Sequence, residues 1–475
     1  MMTDTRVSAS QTLKLAALSL AMLLPSLGTS IANVALPALA SSFDAPFQAV
    51  QWVVIAYLLS VTTLVVAAGR LGDLFGRRRL LVSGIGMFAL ASVACSLAPN
   101  LVWLIASRGI QGFGAALMMA LTVASVGDIV PPDKTGRAMG LLGTVSAVGT
   151  ALGPSLGGVL VAHYGWPSVF AVMAGTSAPA LAIALLSLPA ETPKAVRPLG
   201  FDGAGMLTLA LALAAYALSA TLQVGIGITL VLVAIAALGF IAFVRIERGA
   251  PAPMLQITAL RALSVSTGLV SVALISAVVM ASLVVGPFYL GDSLGLDPAA
   301  VGLIMSIGPS VAALTGIPAG HLVDRFSATP MILAGLATVV AGTVMMSVLP
   351  VVTGLAGYIG SIVLVTAGYA LFQAANGTAI MTGVSREQRG VISGLLALAR
   401  NLGLVTGASV MGGLFVLGSH SVGLPGLAAG SAGGLQLTFA VSALLAGIAL
   451  GAVLWGSRQH VRRNSKDGSA VDASQ

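Results

Sequence analysis

Apolar positions along this chain come in long unbroken runs, not in the alternation of a half-buried strand or the one-sided stripe of a soluble helix. Fourteen runs are long enough to cross a bilayer as helices, each needing about 20 apolar residues. They lie near 15–38, 50–69, 80–98, 101–124, 138–162, 167–189, 203–221, 225–244, 264–289, 299–320, 329–348, 355–381, 390–417 and 434–456. A polar stretch with two prolines, Glu191 to Pro198, follows the sixth run, and a charged linker, Arg245 to Arg261, follows the eighth. The pattern predicts five blocks. They are an N-terminal segment (1–14), a six-helix block (15–189), linkers with two additional membrane helices (190–262), a second six-helix block (263–456) and a polar, disordered tail (457–475). The fold class is all-α integral membrane. The pair near 203–244 either crosses or dips in without crossing, since removing two spans preserves parity.

Composition supports this reading. Hydrophobic residues make up 57% and charged residues 8%, against roughly 25% charged in a soluble chain. A secreted enzyme, a single-span receptor and a nucleic-acid-binding domain are excluded. The net charge of +8 matters through its placement. Arg108 and Arg400 fall at membrane depth. All other Lys and Arg residues fall on the side of the termini, while the opposite loops hold Asp44, Asp292 and Asp297. The termini are therefore expected in the cytoplasm, with the chain in the plasma (inner) membrane. Arg6 and Lys14 before the first run imitate a signal peptide, but the run exceeds a signal core of 7–15 residues and is expected to stay as the first span.

Little else invites catalysis. Cys95 is the only cysteine, and His163, His321, His420 and His460 are scattered, so no metal site is expected. No nucleotide-binding motif occurs, and the connection from Ser419 to Gly433 carries no nucleophile–base pair. The reading is a non-enzyme without cofactor, nucleic acid or obligate protein partner. Its partners would be a small lipophilic substrate and membrane lipid.

Several motifs carry chemistry. After the second span the chain reads Gly69-Arg70-Leu71-Gly72-Asp73-Leu74-Phe75-Gly76-Arg77-Arg78-Arg79. Two glycines permit a tight turn, and the basic cluster suits anionic lipid heads. A weaker echo, Gly320-His321-Leu322-Val323-Asp324-Arg325, follows the tenth span. The fourth span reads Arg108-Gly109-Ile110-Gln111-Gly112-Phe113-Gly114-Ala115-Ala116. A charge at that depth is about 3 kcal/mol unfavourable and marks a functional site, and Gln111 shares its helix face. The fifth span reads Gly149-Thr150-Ala151-Leu152-Gly153-Pro154-Ser155-Leu156-Gly157-Gly158, a small-residue face with a proline bend.

The first motif resembles the signature loop of the major facilitator superfamily. The second resembles that superfamily's fourth-helix motif, and the third its antiporter motif, which its symporters generally lack. Asn33-Val34-Ala35-Leu36-Pro37, Gln51-Trp52-Val53 with Tyr57, Phe201-Asp202-Gly203, Arg245-Ile246-Glu247-Arg248 and Arg400-Asn401-Leu402-Gly403 narrow the resemblance to the fourteen-helix drug:proton antiporter family. It runs from about residue 15 to 456. The resemblance implies two six-helix bundles plus two extra helices, and alternating access to a site between the halves. It also implies proton-driven efflux of lipophilic compounds, of the kind that confers antibiotic resistance. An importer or symporter of a small metabolite on the same fold is the alternative.

One departure stands out. The family often has an acid in the first span where this chain has Gly28. Asp128, Asp133, Asp324, Glu191, Glu247 and Glu387 are expected on the cytoplasmic side, so no carboxylate is expected in a span core. Arginines at depth favour neutral or anionic substrates over dications. If an acid near a helix end carries the proton instead, Asp44, Asp128 and Asp292 are the candidates. Substrate contact or coupling is expected of Arg108, Gln111, Asn33, Gln51, Tyr57, Gln373, Asn376, Arg400 and Asn401. A conformational switch is expected of Gly69, Asp73, Gly76, Arg77, Arg78, Gly149, Gly153, Pro154, Gly157 and Gly158.

Overall fold

A backbone in hydrocarbon has no water to bond, so every apolar run must satisfy its N–H and C=O groups internally, as a helix does. The computed structural model describes residues 9–130, 135–188, 203–221, 226–249, 263–382, 389–420 and 428–472, and all regular structure among them is helical. Thirteen helices among the described residues are long and apolar enough to cross a bilayer, and Gly203–Ser219 is a shorter apolar helix. The fourteen expected spans are all present as helix.

The first six spans are α1 (Ala9–Ser42), α2 (Phe47–Val50) with α3 (Trp52–Phe75), α4 (Arg77–Ser96), α5 (Leu101–Ile129), α6 (Thr135–Tyr164) and α7 (Pro167–Ser187). The additional pair is α8 (Gly203–Thr221) and α9 (Ile226–Gly249). Then come α10 (Leu263–Phe288), α11 (Pro298–Met305) with α12 (Ile307–Phe326), α13 (Ala328–Thr353) and α14 (Leu355–Thr382). The last two spans are α15 (Arg389–Thr406) with α16 (Gly412–His420), and α17 (Ser431–Asp472).

Three spans are broken where the hydropathy pattern shows none. Gln51 interrupts the second, between α2 and α3. Ser306 interrupts the tenth, and Pro309 supplies the cause by removing the N–H that Met305 would accept. A π-helical turn, Gly407–Met411, separates α15 from α16, and another, Tyr289–Ser293, extends α10. At the C-terminus, the tail expected to be disordered continues α17 as helix to Asp472. The stretch 457–472 has no proline to end the helix.

The signature stretch after the second span is also less of a loop than its glycines suggest. Gly69, Asp73 and Phe75 are helical, and the reversal into α4 is made by Gly76 alone, with φ +93°. Side-chain capping defines two other helix starts. Asn100 accepts from the Trp103 N–H at 2.9 Å to open α5, and Asp297 accepts from the Ala300 N–H at 2.8 Å to open α11.

The chain groups into two compact units. Unit 1 holds Met1–Met254, Leu283–Ser310 and Ala408–Gly413; unit 2 holds Leu255–Ser282, Val311–Gly407 and Leu414–Gln475. In unit 1, α1 lies against α5, α6 and α7, α5 against α3 and α4, α6 against α11, and the pair α8–α9 against itself and α3. Unit 2 is built on α13, which packs on α14 and α17. Its core includes Ile275, Leu336, Val339, Val365 and Phe372. Small residues set the α13–α14 spacing: a Cβ on Gly335 would lie 2.6 Å from the Phe372 nitrogen and 2.9 Å from the Gly368 carbonyl.

Candidate functional site

The largest fully buried side chain among the described residues is Arg108. It sits on α5 in unit 1 and is 0 % exposed. Its Nε donates to the Val53 carbonyl at 2.9 Å and its Nη2 to the Gly28 carbonyl at 3.1 Å. Its Nη1 donates to Gln111 Oε1, one turn along the same helix. The guanidinium carbon lies 4.2 Å from the centroid of the Tyr57 ring and 5.9 Å from that of Phe170. One side chain thus joins α1, α3 and α5, and faces α7 through an aromatic ring.

The network extends through neutral groups. Gln111 Nε2 donates to Ser92 Oγ at 2.6 Å, and Ser92 donates to the Phe88 carbonyl at 2.6 Å within α4. Tyr57 Oη donates to the Pro25 carbonyl at 2.9 Å. Every group bonded to the guanidinium is a carbonyl or an amide oxygen, and the site where the family often has an acid contributes only its main-chain oxygen. A fixed positive charge surrounded by neutral acceptors and π faces attracts electron-rich or anionic groups. In this state Arg108 shows no surface to solvent, and its bonds tie α1, α3 and α5 together.

The other residues singled out from sequence fall as follows. Asn33 is buried on α1, its Nδ2 donating to the Thr29 and Ser30 carbonyls at 2.9 and 3.3 Å, and its Oδ1 has no partner. Gln51 is buried, and neither its Oε1 nor its Nε2 has a partner. Within unit 2, Asn376 is 3 % exposed and donates to the Gly268 carbonyl at 3.3 Å, tying α14 to α10. Gln373 and Arg400 are exposed, and Asn401 is half-buried. Asp44 and Asp292 are exposed at helix ends, Asp44 with φ +44°. The side chains of Asp128, Asp73 and Arg70 lie outside the described residues.

The basic cluster ties α4 to its neighbours. Arg77 Nη1 donates to the Ala124 carbonyl on α5 at 3.0 Å, and Arg78 Nη2 to the Leu185 carbonyl on α7 at 2.8 Å. The antiporter-like glycines act as packing surface. Cβ atoms on Gly149 and Gly157 would meet the Leu23 and Ile31 carbonyls at 2.8 and 3.0 Å, and one on Gly153 would strike Ser30 Oγ. Ser26 and Ser146 add a hydroxyl bridge of 2.7 Å across the same α1–α6 seam. Gly158 faces α11 instead, where its Cβ would lie 2.8 Å from Gly302 Cα. The Pro154 carbonyl also meets Gly302.

Glu247, expected on the cytoplasmic side, is 2 % exposed near the end of α9. The helix continues to Gly249, past the arginines that mark a loop in the sequence. Sequence reasoning also missed Ser92, Phe170 and the carbonyls of Gly28 and Val53. A main-chain oxygen carries no residue-type signal, and a serine inside an apolar run gives only a weak one.

Helices of membrane length around an enclosed polar network define a multi-pass membrane protein with its chemistry in the bundle interior. The profile of the Major Facilitator Superfamily matches residues 18–408 and 268–473, and the chain belongs to that superfamily. It is a transporter and not an enzyme. It is 32% identical over 411 residues to the multidrug resistance protein Stp of Mycobacterium tuberculosis (strain CDC 1551 / Oshkosh), covering 85% of this chain and 75% of that one. It is 29% identical over 391 residues to the riboflavin transporter RibZ of Clostridioides difficile (strain 630), covering 81% and 84%. The fold is similar to the crystal structure of the peptide transporter POT in complex with sulfate. The TM-score is 0.71 at 14% identity, over 94% of this chain and 95% of that one.

Proposed function

We propose that the chain is a secondary active exporter of small lipophilic compounds, working by alternating access and driven by the proton gradient. It would lie in the plasma (inner) membrane with both termini cytoplasmic, as the placement of Lys and Arg supports. The observation that carries export is the packing of Gly149, Gly153, Gly157 and Gly158, which holds α6 tightly to α1 and α11. That is the stretch resembling the antiporter motif. The relative named for multidrug resistance points the same way.

The preferred substrates are neutral or anionic. Arg108 supports this, as a buried cation whose bonded partners are all neutral. Arg108, Gln111, Tyr57, Asn33, Gln51, Gln373, Asn376, Arg400 and Asn401 are the substrate or coupling residues. The Asp73–arginine turn at Gly76 and the α6 glycines govern the switch. Asp44, Asp128 and Asp292 remain the proton-carrier candidates. The relative named as a riboflavin transporter favours a second reading, uptake of a small metabolite.

The test uses proteoliposomes with an imposed proton gradient, offered a cationic dye, a neutral lipophile and an organic anion in turn, with substrate and pH followed together. Proton-coupled movement of the neutral or anionic probe alone is the expected result. Strong proton-coupled transport of a dication overturns the substrate preference. Substrate accumulation in energised cells carrying the chain, instead of depletion, overturns export.

A further inference from the structure

Gln51 is the one residue between α2 and α3, and it combines three features that the transport reading leaves unused. It is 0 % exposed, and no protein group bonds either its Oε1 or its Nε2. The main chain presses on it, for a Cβ on Gly412 would strike Gln51 Oε1 and lie 3.1 Å from Phe47 Cε1. Irregular backbone adjoins it: Gly412 directly follows the π-helical turn Gly407–Met411. The Phe47 ring in turn meets Phe288 edge-on at 4.7 Å, one residue before the π-helical turn Tyr289–Ser293. Gln51, Phe47, Phe288, Gly412 and every residue of the two π-helical turns but Gly407 belong to unit 1.

A buried primary amide with neither donor nor acceptor satisfied opposes the arrangement that buries it. An apolar side chain of similar length would fill the space without that penalty, so the glutamine works against tight closure. The groups around it are built to separate. π-helical turns are rare and recur at functional positions. Gly412 offers only a bare backbone surface to the amide. Asn33 Oδ1, also buried and unpartnered, lies on α1 eight residues beyond Pro25. The connection from α1 to α2 is only residues 43–46, so Asn33, in the last third of α1, and Gln51, at the start of α3, both lie toward that turn.

We propose that Gln51 is a built-in release element: its orphaned amide destabilises the packed junction between α2–α3 and Gly412, and parting the junction frees it to bond water or substrate. The junction is thereby kept easy to open. The proposal rests on the alternating-access reading only for its role in transport. The bias itself is a property of the unliganded chain and can be measured without substrate.

The experiment compares the full-length wild type with Gln51→Met and Gln51→Leu by hydrogen exchange, following peptides across 47–55 and 407–413. The Val54 and Ile55 N–H groups both donate to the Gln51 carbonyl at 3.0 Å and report opening directly. Removing the orphaned amide should slow exchange in both segments by roughly tenfold. The midpoint of thermal unfolding should rise, and any turnover the chain shows should fall. Gly412→Ala, which wedges the contact, should speed exchange in the same segments. Unchanged or faster exchange in both Gln51 variants overturns the proposal, since it means the amide is already satisfied in the resting chain. Unchanged exchange in Gly412→Ala overturns it too, because the contact would then be absent at rest. Slowed exchange in a chain that moves no substrate supports the release element and counts against the transport reading alone.

Discussion

Replacing Arg108 by lysine keeps the charge and discards the geometry. The guanidinium holds three acceptors at once, on α1, α3 and α5, because its donors diverge in one plane. An ammonium on a shorter reach can bond one of them well. It also loses the flat face that lies 4.2 Å over Tyr57. Two charge-assisted hydrogen bonds are therefore lost. A hydrogen bond to a charged group contributes about 1.5–3 kcal/mol in soluble proteins, whereas interhelical bonds measured in membranes average about 0.6. The loss for Arg108→Lys is then on the order of 1–6 kcal/mol. Arg108→Met loses all three bonds but removes the buried charge with them. The Gly28 and Val53 carbonyls it releases lie within helices and keep their ladder partners, so Gln111 Oε1 is the one acceptor left to find another donor. Buried charge removed cleanly is often neutral or stabilising, while buried charge left poorly bonded is not. Lysine should therefore lower the thermal midpoint of purified protein more than methionine does, and both should abolish export in vesicles. A lysine variant with the wild-type midpoint and transport would refute the view that three-way bonding is what Arg108 supplies.

Other substitutions probe the remaining features. Gly28→Asp places its Cβ at ordinary contact distance, 3.4 Å, from Phe88 and Tyr57, beside the guanidinium; it should fold and shift the substrate preference toward cations, read by competition between a cationic and an anionic probe. Gly153→Val drives a side chain into Ser30 and to 2.9 Å from the Ile31 nitrogen, and overpacking of about 1–3 kcal/mol should lower the yield of folded protein in detergent. Gly158→Ala drives a methyl into the Pro298 carbonyl and to 2.8 Å from Gly302 Cα on the α11 side; it should lower the thermal midpoint and slow transport severalfold in proteoliposomes. Cys95 is 0 % exposed and should resist a maleimide until the bundle unfolds, so its labelling should track the thermal midpoint.

The parts legible in the sequence are those written in side chains. The apolar runs gave every span, because lipid demands a continuous apolar length and little else. Arg108 and Gln111 were readable as partners because three residues of helix return to the same face. The α6 glycines were readable as packing surface for the same reason. The breaks at Gln51 and Gly407–Met411 were not, since hydropathy does not register a lost backbone bond. The burial of Glu247 was not legible, because nearby arginines mark a loop while the helix runs on to Gly249. The other two partners of Arg108 were out of reach, for they are main-chain oxygens.

Gly28 shows why that last gap matters for function. An absent carboxylate reads, in sequence, as an absent binding partner. In the structure the same position still bonds the arginine, through its carbonyl at 3.1 Å. The helix contact is thus kept while the charge balance is not, leaving a buried cation where a family acid would give a neutral pair. A cavity opening beside that cation would present net positive potential, strengthened by the low dielectric around it. Under the proposed proton-driven export, the absent acid would have two consequences with one physical origin: weaker attraction for dications, and the proton-carrying role passing to another group. Measuring proton coupling and substrate charge preference in Gly28→Asp together would show whether the two move as one. If the acid restores cation transport without altering coupling, the two roles lie on different residues.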